Sequence, residues 1–215
     1  MRNITPTVKA LIGINVALLI ATYLLRQIGV DLVRHLGLFY FESPHFKPYQ
    51  FVTHLFMHGG MVHLMFNMYA LWLFGTALEQ MWGQKRFLIY YFVTGLGAAL
   101  LHTFVNYLEI SKMQEVSAAA AGMMMNIPTV GASGAVFGVL LAFGMTFPNT
   151  RLMLIFPPIP MKAKWFVIFY GIAELCLGIF SRGGNIAHFA HVGGMLFGFF
   201  MVKYWQRKER DMYFY

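Results

Sequence analysis

The sequence predicts an all-α membrane protein: a bundle of six transmembrane helices with a membrane-embedded first loop. Three observations carry this. Hydrophobic residues fill 59% of the 215 positions and charged residues only 11%, too apolar for an ordinary soluble domain. Six apolar stretches, near 10–25, 62–82, 87–106, 132–147, 164–181 and 187–204, are long enough, or nearly so, to cross ~30 Å of hydrocarbon. No stretch between them could hold a core of its own, so residues 1–215 read as a single membrane domain.

The first span, from about Leu11 to Leu25, carries no charged side chain, and Asn15 and Thr22 are its notable polar groups. It lacks a small-residue cleavage site and reads as a retained anchor, not a signal peptide. The loop that follows, from Arg26 to Met61, is rich in rings: Phe39, Tyr40, Phe41, Phe46, Tyr49, Phe51 and Phe56. Such density suits a structure half-sunk in the outer interface.

The second span opens at His58-Gly59-Gly60-Met61-Val62-His63 and continues to Asn67. His63 and Asn67 stand at i, i+4 and share one helix face, which must turn into the bundle because two such groups are costly in lipid. Glu79, beside Trp82, is expected to reach the membrane interface. Gly95 and Gly97 in the third span read as packing. The segment from Tyr107 to Val130 carries almost no charge after Glu115 and is expected to return into the membrane zone as non-helical backbone lining protein or a wet cavity.

The fourth span begins at Gly131-Ala132-Ser133-Gly134-Ala135-Val136-Phe137-Gly138 and is stopped by Pro148. Fifteen residues separate Ser133 from that stop. They rise roughly 22 Å against ~30 Å of hydrocarbon, which sets the hydroxyl below the outer membrane surface. Gly134 and Gly138 form a small-xxx-small pair suited to close helix packing, one reading of the motif. The other makes Ser133 a nucleophile. It is not the elbow of soluble hydrolases, because position 135 is Ala and no strand precedes it. Glu174 in the fifth span needs a partner or a cavity. In the sixth, His191, Gly194 and Gly198 fall within about 60° on a helical wheel, so a glycine groove brings that histidine against a neighbouring helix. His188 lies on the same span.

Charge and cysteine usage narrow the classes. The net charge of +8 is distributed as topology: eleven basic residues on one set of connections against five on the other, Arg26, Arg34, Lys47, Lys112 and Arg182. The positive-inside rule then puts both termini in the cytoplasm, in the cell membrane. No basic patch on a folded surface calls for nucleic acid. Cys176 is the only cysteine, which excludes an internal disulfide and a cysteine-based metal cluster.

One chemistry uses these parts together. Ser133 needs a base, and a neutral imidazole, His191, can serve if the fourth and sixth spans touch. His63, Asn67 and the backbone N–H of Ser133 can hold an oxyanion. On these residues the sequence resembles the rhomboid family of intramembrane serine proteases. The matches are His58, His63 and Asn67; Gly131-Ala132-Ser133-Gly134; and Ala190-His191-Val192-Gly193-Gly194 with Gly198. The resemblance runs from the first span through the sixth. It implies a Ser133–His191 dyad with no catalytic aspartate and no cofactor, single-pass transmembrane proteins as substrates within the lipid bilayer, and a small residue before the scissile bond. It also implies that helix five and its following loop gate lateral substrate entry. His58 is assigned to packing, Phe137 to stacking on the base, and Gly131, Gly194 and Gly198 to support.

Three positions depart from the pattern. Tyr49-Gln50 stands where many relatives carry Trp-Arg, Phe137 where Tyr is frequent, and Asn185 where Asp is frequent. None removes the nucleophile, base or oxyanion donors. Two rival classes fit the sequence less well. A metal or haem site built from His58, His63, His188 and His191 leaves the Gly-Ala-Ser-Gly motif unexplained, and a binding-only relative would usually lack the serine or histidine that this chain keeps.

Overall fold

The computed structural model describes residues 3–153, 158–180 and 186–213; Arg2, Arg182, Asn185 and the side chain of Arg210 lie outside what it describes. The chain is mostly helical. In order it runs α1 (Pro6–Arg26), α2 (Leu32–Leu36), α3 (Gln50–Thr53), a 3-10 turn (His54–Phe56), α4 (Met61–Ala70), a π turn (Leu71–Gly75), α5 (Thr76–Trp82), α6 (Gln84–Val116), α7 (Ala118–Met125), α8 (Ser133–Thr146), a hairpin of β1 (Arg151–Met153) and β2 (Pro160–Lys162), α9 (Ala163–Phe180) and α10 (Ile186–Tyr213). The two strands pair antiparallel with Leu152 opposite Met161.

Four helical segments among the described residues are long and apolar enough to cross a membrane: Pro6–Arg26, the continuous Met61–Trp82, Gln84–Val116 and Ala163–Phe180. The chain is a multi-pass membrane protein. Helix α8 is equally apolar but has only 14 residues, about 21 Å of helix. It is the hub of the bundle. Gly134 through Leu140 and Ala142 through Gly144 are all buried, and the core around them draws Leu71, Leu78, Phe87, Tyr90, Tyr91 and Val167 from the surrounding helices. Helix α9 shows the opposite economy. Its buried residues Ala163, Val167, Glu174 and Gly178 form one stripe at helical spacing. The other faces, with Ile168, Phe169, Ile172, Leu175 and Ile179, are exposed and suited to lipid.

Three expectations need correction. Glu79 does not reach out into water. It is buried, and its carboxylate caps the first turn of α1, accepting from the Thr5 hydroxyl, from Thr7 N at 2.9 Å and from Val8 N at 2.9 Å. The free N–H groups at a helix start carry partial positive charge, so an internal carboxylate satisfies them and is satisfied in turn. Replacing Glu79 with Ala is expected to lower stability by about 2–4 kcal/mol, read by thermal unfolding in detergent, with activity per folded molecule little changed.

The third span is also longer than expected. Helix α6 continues to Val116, because no Gly or Pro interrupts the chain between Gly97 and Gly122. Ser117 then turns the backbone and caps α7 through its side chain, which accepts from Ala120 N. The segment expected to be non-helical is therefore mostly helix, and its small core of Ile110 and Ala121 packs on Tyr40 of the first loop.

The first loop owes its shape to Gln50, which is fully buried. Its Oε1 accepts from Phe39 N and Lys47 N, and its Nε2 donates to the carbonyls of His35 and His45. A neutral amide thus fills all four of its hydrogen-bonding positions. A short bridge between Leu38 and Thr129, with N–H to carbonyl distances of 2.9 and 2.8 Å, ties this loop to the strand-like approach to Ser133. Of the rings counted there, Phe39 and Tyr40 are buried while Phe41 and Tyr49 point outward.

Candidate active site

The site forms where α8 begins. Gly131 sits at φ +132°, a conformation that favours glycine. Its N–H donates to the carbonyl of His54 at 3.0 Å, which fastens the chain just before Ser133 to the first loop. A Cβ at Gly131 would lie 2.9 Å from His63 Cε1, 3.1 Å from His63 Nε2 and 3.6 Å from Ser133 Oγ. These two functional atoms therefore face one small volume, and only glycine leaves it open.

Close helix contact brings His191 to the serine. A Cβ on Gly194 would fall 1.8 Å from the carbonyl oxygen of Gly134, and one on Gly134 would fall 2.4 Å from Ala98 Cβ. Backbone of α10 therefore rests directly on backbone of α8. Gly198 and Gly138 each rest on α6 instead: a Cβ at the first would meet Tyr90 Oη at 2.3 Å, and one at the second Thr94 Cβ at 2.6 Å. The Tyr90 hydroxyl donates to the carbonyl of Gly138 at 2.8 Å. With the helices so close, His191 Nε2 lies 2.9 Å from Ser133 Oγ. Phe137 stacks flat on the His191 ring, centroids 4.1 Å apart and planes 4° from parallel, so the ring without a hydroxyl still fixes the imidazole plane.

Two residues not linked in the sequence complete the arrangement. Glu174 Oε2 lies 2.8 Å from His191 Nδ1 and 2.7 Å from His188 Nδ1. An ionised carboxylate only accepts, so each ring donates from Nδ1, and His191 Nε2 is left as the acceptor for the Ser133 hydroxyl. The signals were present separately. An acid in mid-span demands a partner, and His188 stands three residues before His191 on the same helix. What was missing was the rotation of α9 that aims its one acidic residue at α10.

The remaining candidates take different places. Asn67 is buried, and its Nδ2 donates to the carbonyl of His63 at 2.9 Å, leaving one amide hydrogen for a ligand. Ser133 is the first residue of α8, so its N–H is among those with no acceptor within the helix. His58 is 2% exposed and packs edge-on against His63, centroids 5.1 Å apart. Burial, reinforced by the neighbouring His63, holds its pKa down at about 4, so it is a neutral packing group at pH 7.

A family comparison matches this same stretch: the Rhomboid domain model covers residues 45–208. The chain belongs to the rhomboid family. Among curated rhomboid relatives, Rhomboid protein 1, mitochondrial, of Saccharomyces cerevisiae is 33% identical over 143 residues, covering 66% of this chain and 38% of the yeast protein. The human presenilin-associated rhomboid-like protein, mitochondrial, is 32% identical over 159 residues, covering 72% of this chain and 38% of its own length. Rhomboid protease GluP of Bacillus subtilis is 30% identical over 157 residues, covering 71% of this chain and 25% of the relative. The chain thus spans well under half the length of the rhomboid proteins it matches.

Proposed function

We propose that this rhomboid chain is an intramembrane serine endopeptidase that cuts the transmembrane segments of single-pass membrane proteins. The observation that carries the reading is the line Glu174 Oε2, His191 Nδ1, His191 Nε2, Ser133 Oγ, with contacts of 2.8 and 2.9 Å. The printed name of the Bacillus relative, a rhomboid protease, points the same way.

In this mechanism His191 takes the Ser133 proton as Oγ attacks the scissile carbonyl carbon. The resulting oxyanion is held by the Ser133 N–H, His63 Nε2 and Asn67 Nδ2. Collapse breaks the C–N bond, and His191 hands its proton to the leaving amine. Water then attacks the acyl-enzyme with His191 again as base, restoring Ser133. His191 is not sealed off, its side chain being 18% exposed.

Six spans with both termini on the more basic side is the topology this reading uses. Thr5 and Glu79 meet at one end of the bundle, and Arg86 pairs with Glu209 where α6 starts and α10 ends. Ser133 opens the opposite end of its helix. The yeast and human relatives are mitochondrial by name. The charge rule names a side and not an organelle, and in the cell membrane that side is the cytoplasm.

A fluorophosphonate probe tests the class, because it labels an activated serine and is indifferent to other hydrolytic chemistries. Labelling confined to Ser133, with cleavage of a single-pass model substrate in liposomes, is the expected result. Absence of both in folded protein overturns the reading. The oxyanion assignment has its own graded outcome. His63→Ala and Asn67→Ala are each expected to lower turnover by about 10²–10³, with substrate KM little changed and probe labelling slowed but present. Unchanged turnover in both would move the oxyanion donors to the backbone alone.

A further inference from the structure

We propose that Glu174, His188 and His191 form a binding site for a zinc-class divalent cation, and that the bound ion switches the enzyme off. The inference rests on the reading of His191 as the base. Glu174 Oε2, His188 Nδ1 and His191 Nδ1 all lie within 4.8 Å of one another. One carboxylate and two imidazoles make a common donor set for Zn²⁺, with the fourth tetrahedral position left to water.

The geometry needs little change to accept the ion. Metal–ligand distances of ~2.1 Å imply donor separations of about 3.4 Å in a tetrahedron. The two contacts to the carboxylate, now 2.7 and 2.8 Å, must open by roughly 0.6–0.7 Å. His188 and His191 are one turn apart on α10, whose position is locked by the contact of Gly194 with Gly134. Glu174 approaches from α9 on a flexible side chain and supplies the adjustment. The His188 side chain is 27% exposed, so the site is not closed off from outside.

The consequence for catalysis follows from where the protons go. Without metal, His191 carries its proton on Nδ1 and offers the Nε2 lone pair to Ser133. A metal on Nδ1 needs the lone pair of that nitrogen, so the proton moves from Nδ1 to Nε2 and none is lost. His188 undergoes the same exchange. Nε2–H then donates to Ser133 Oγ and cannot take its proton. The carboxylate, now a ligand, no longer holds the imidazole as an acceptor for the serine. The same three atoms that orient the base are therefore the ones that a soft divalent ion captures, whereas Mg²⁺, which prefers oxygen ligands, is a poor fit.

Full-chain protein in detergent, freed of metal by chelator, tests this with two readouts. Binding is read by calorimetry with Zn²⁺ and by the visible absorption of Co²⁺, which is intense only in a tetrahedral site. Activity is read as the ratio of cleavage with and without Zn²⁺, alongside fluorophosphonate labelling. One ion per chain, inhibition of both cleavage and labelling, full recovery on adding chelator and no response to Mg²⁺ are expected. His188→Asn is expected to weaken Zn²⁺ binding at least tenfold and to lose inhibition in proportion; if it fails to fold, Glu174→Gln serves for the binding measurement. Undiminished Zn²⁺ binding in these variants, or equal inhibition of His188→Asn and the unaltered chain, overturns the site. Ser133→Ala keeps the two readings apart. It should still bind one Zn²⁺, so a chain that binds the ion but never cleaves sinks the protease reading alone, and a chain that cleaves but does not bind sinks this one alone.

Discussion

Ser133→Ala is expected to abolish probe labelling and to lower cleavage of a model substrate by at least about 10³-fold, while the protein remains folded. The hydroxyl is partly exposed at the head of α8 and its hydrogen bond goes to His191 Nε2, so its removal leaves no cavity in the core. His191→Ala should be equally severe, since it removes the hydrogen-bond partner of the Ser133 hydroxyl. Because each partner is useless without the other, the double variant should be no worse than either single one. Full cleavage by folded Ser133→Ala would end the serine-protease assignment. The stacking of Phe137 on His191 adds a milder companion result: loss of that ring should loosen the imidazole and weaken the enzyme without extinguishing it.

How much of this could be read from residues alone depends on which physical rule applied. Helical periodicity reports what shares a face of one helix. It therefore grouped His63 with Asn67, and His191 with Gly194 and Gly198. Glycine spacing adds a little more, because a groove demands a neighbour, and the contact of Gly194 with Gly134 is that neighbour. Periodicity says nothing about rotation between helices. That is why Glu174 stood in the sequence as an acid without a partner although His188 and His191 meet it. Glu79 failed for the same reason. Its partners are backbone N–H groups more than seventy residues away, and backbone donors leave no mark in a sequence. The overlong α6 is a different kind of miss. Hydropathy marks where lipid ends, and a helix does not stop there unless Gly, Pro or a competing cap makes it. Gln50 shows the converse, a substitution that looks like a loss of charge and proves to be a fully used amide.

Glu174→Gln is expected to lower kcat by about 10²–10⁴ with KM little changed. Glutamine has the shape of glutamate, so the packing of α9 against α10 survives, and a shift in thermal unfolding should be small beside the kinetic loss. Two things disappear. The amide can turn its NH₂ towards the rings, which invites His191 to accept at Nδ1 and to carry its proton on Nε2, the wrong nitrogen for Ser133. In addition, the negative charge that faces the imidazolium formed during attack is gone. Both belong to the transition state and not to substrate binding, which is why the effect should fall on kcat. Probe labelling should slow by a similar factor, because the same proton transfer activates the serine there. Glu174→Asp restores the charge but stops one methylene short, and should recover part of the rate. Unaltered kcat in folded Glu174→Gln would reduce the acid to a tether between α9 and α10 and leave Ser133 and His191 to work as a pair.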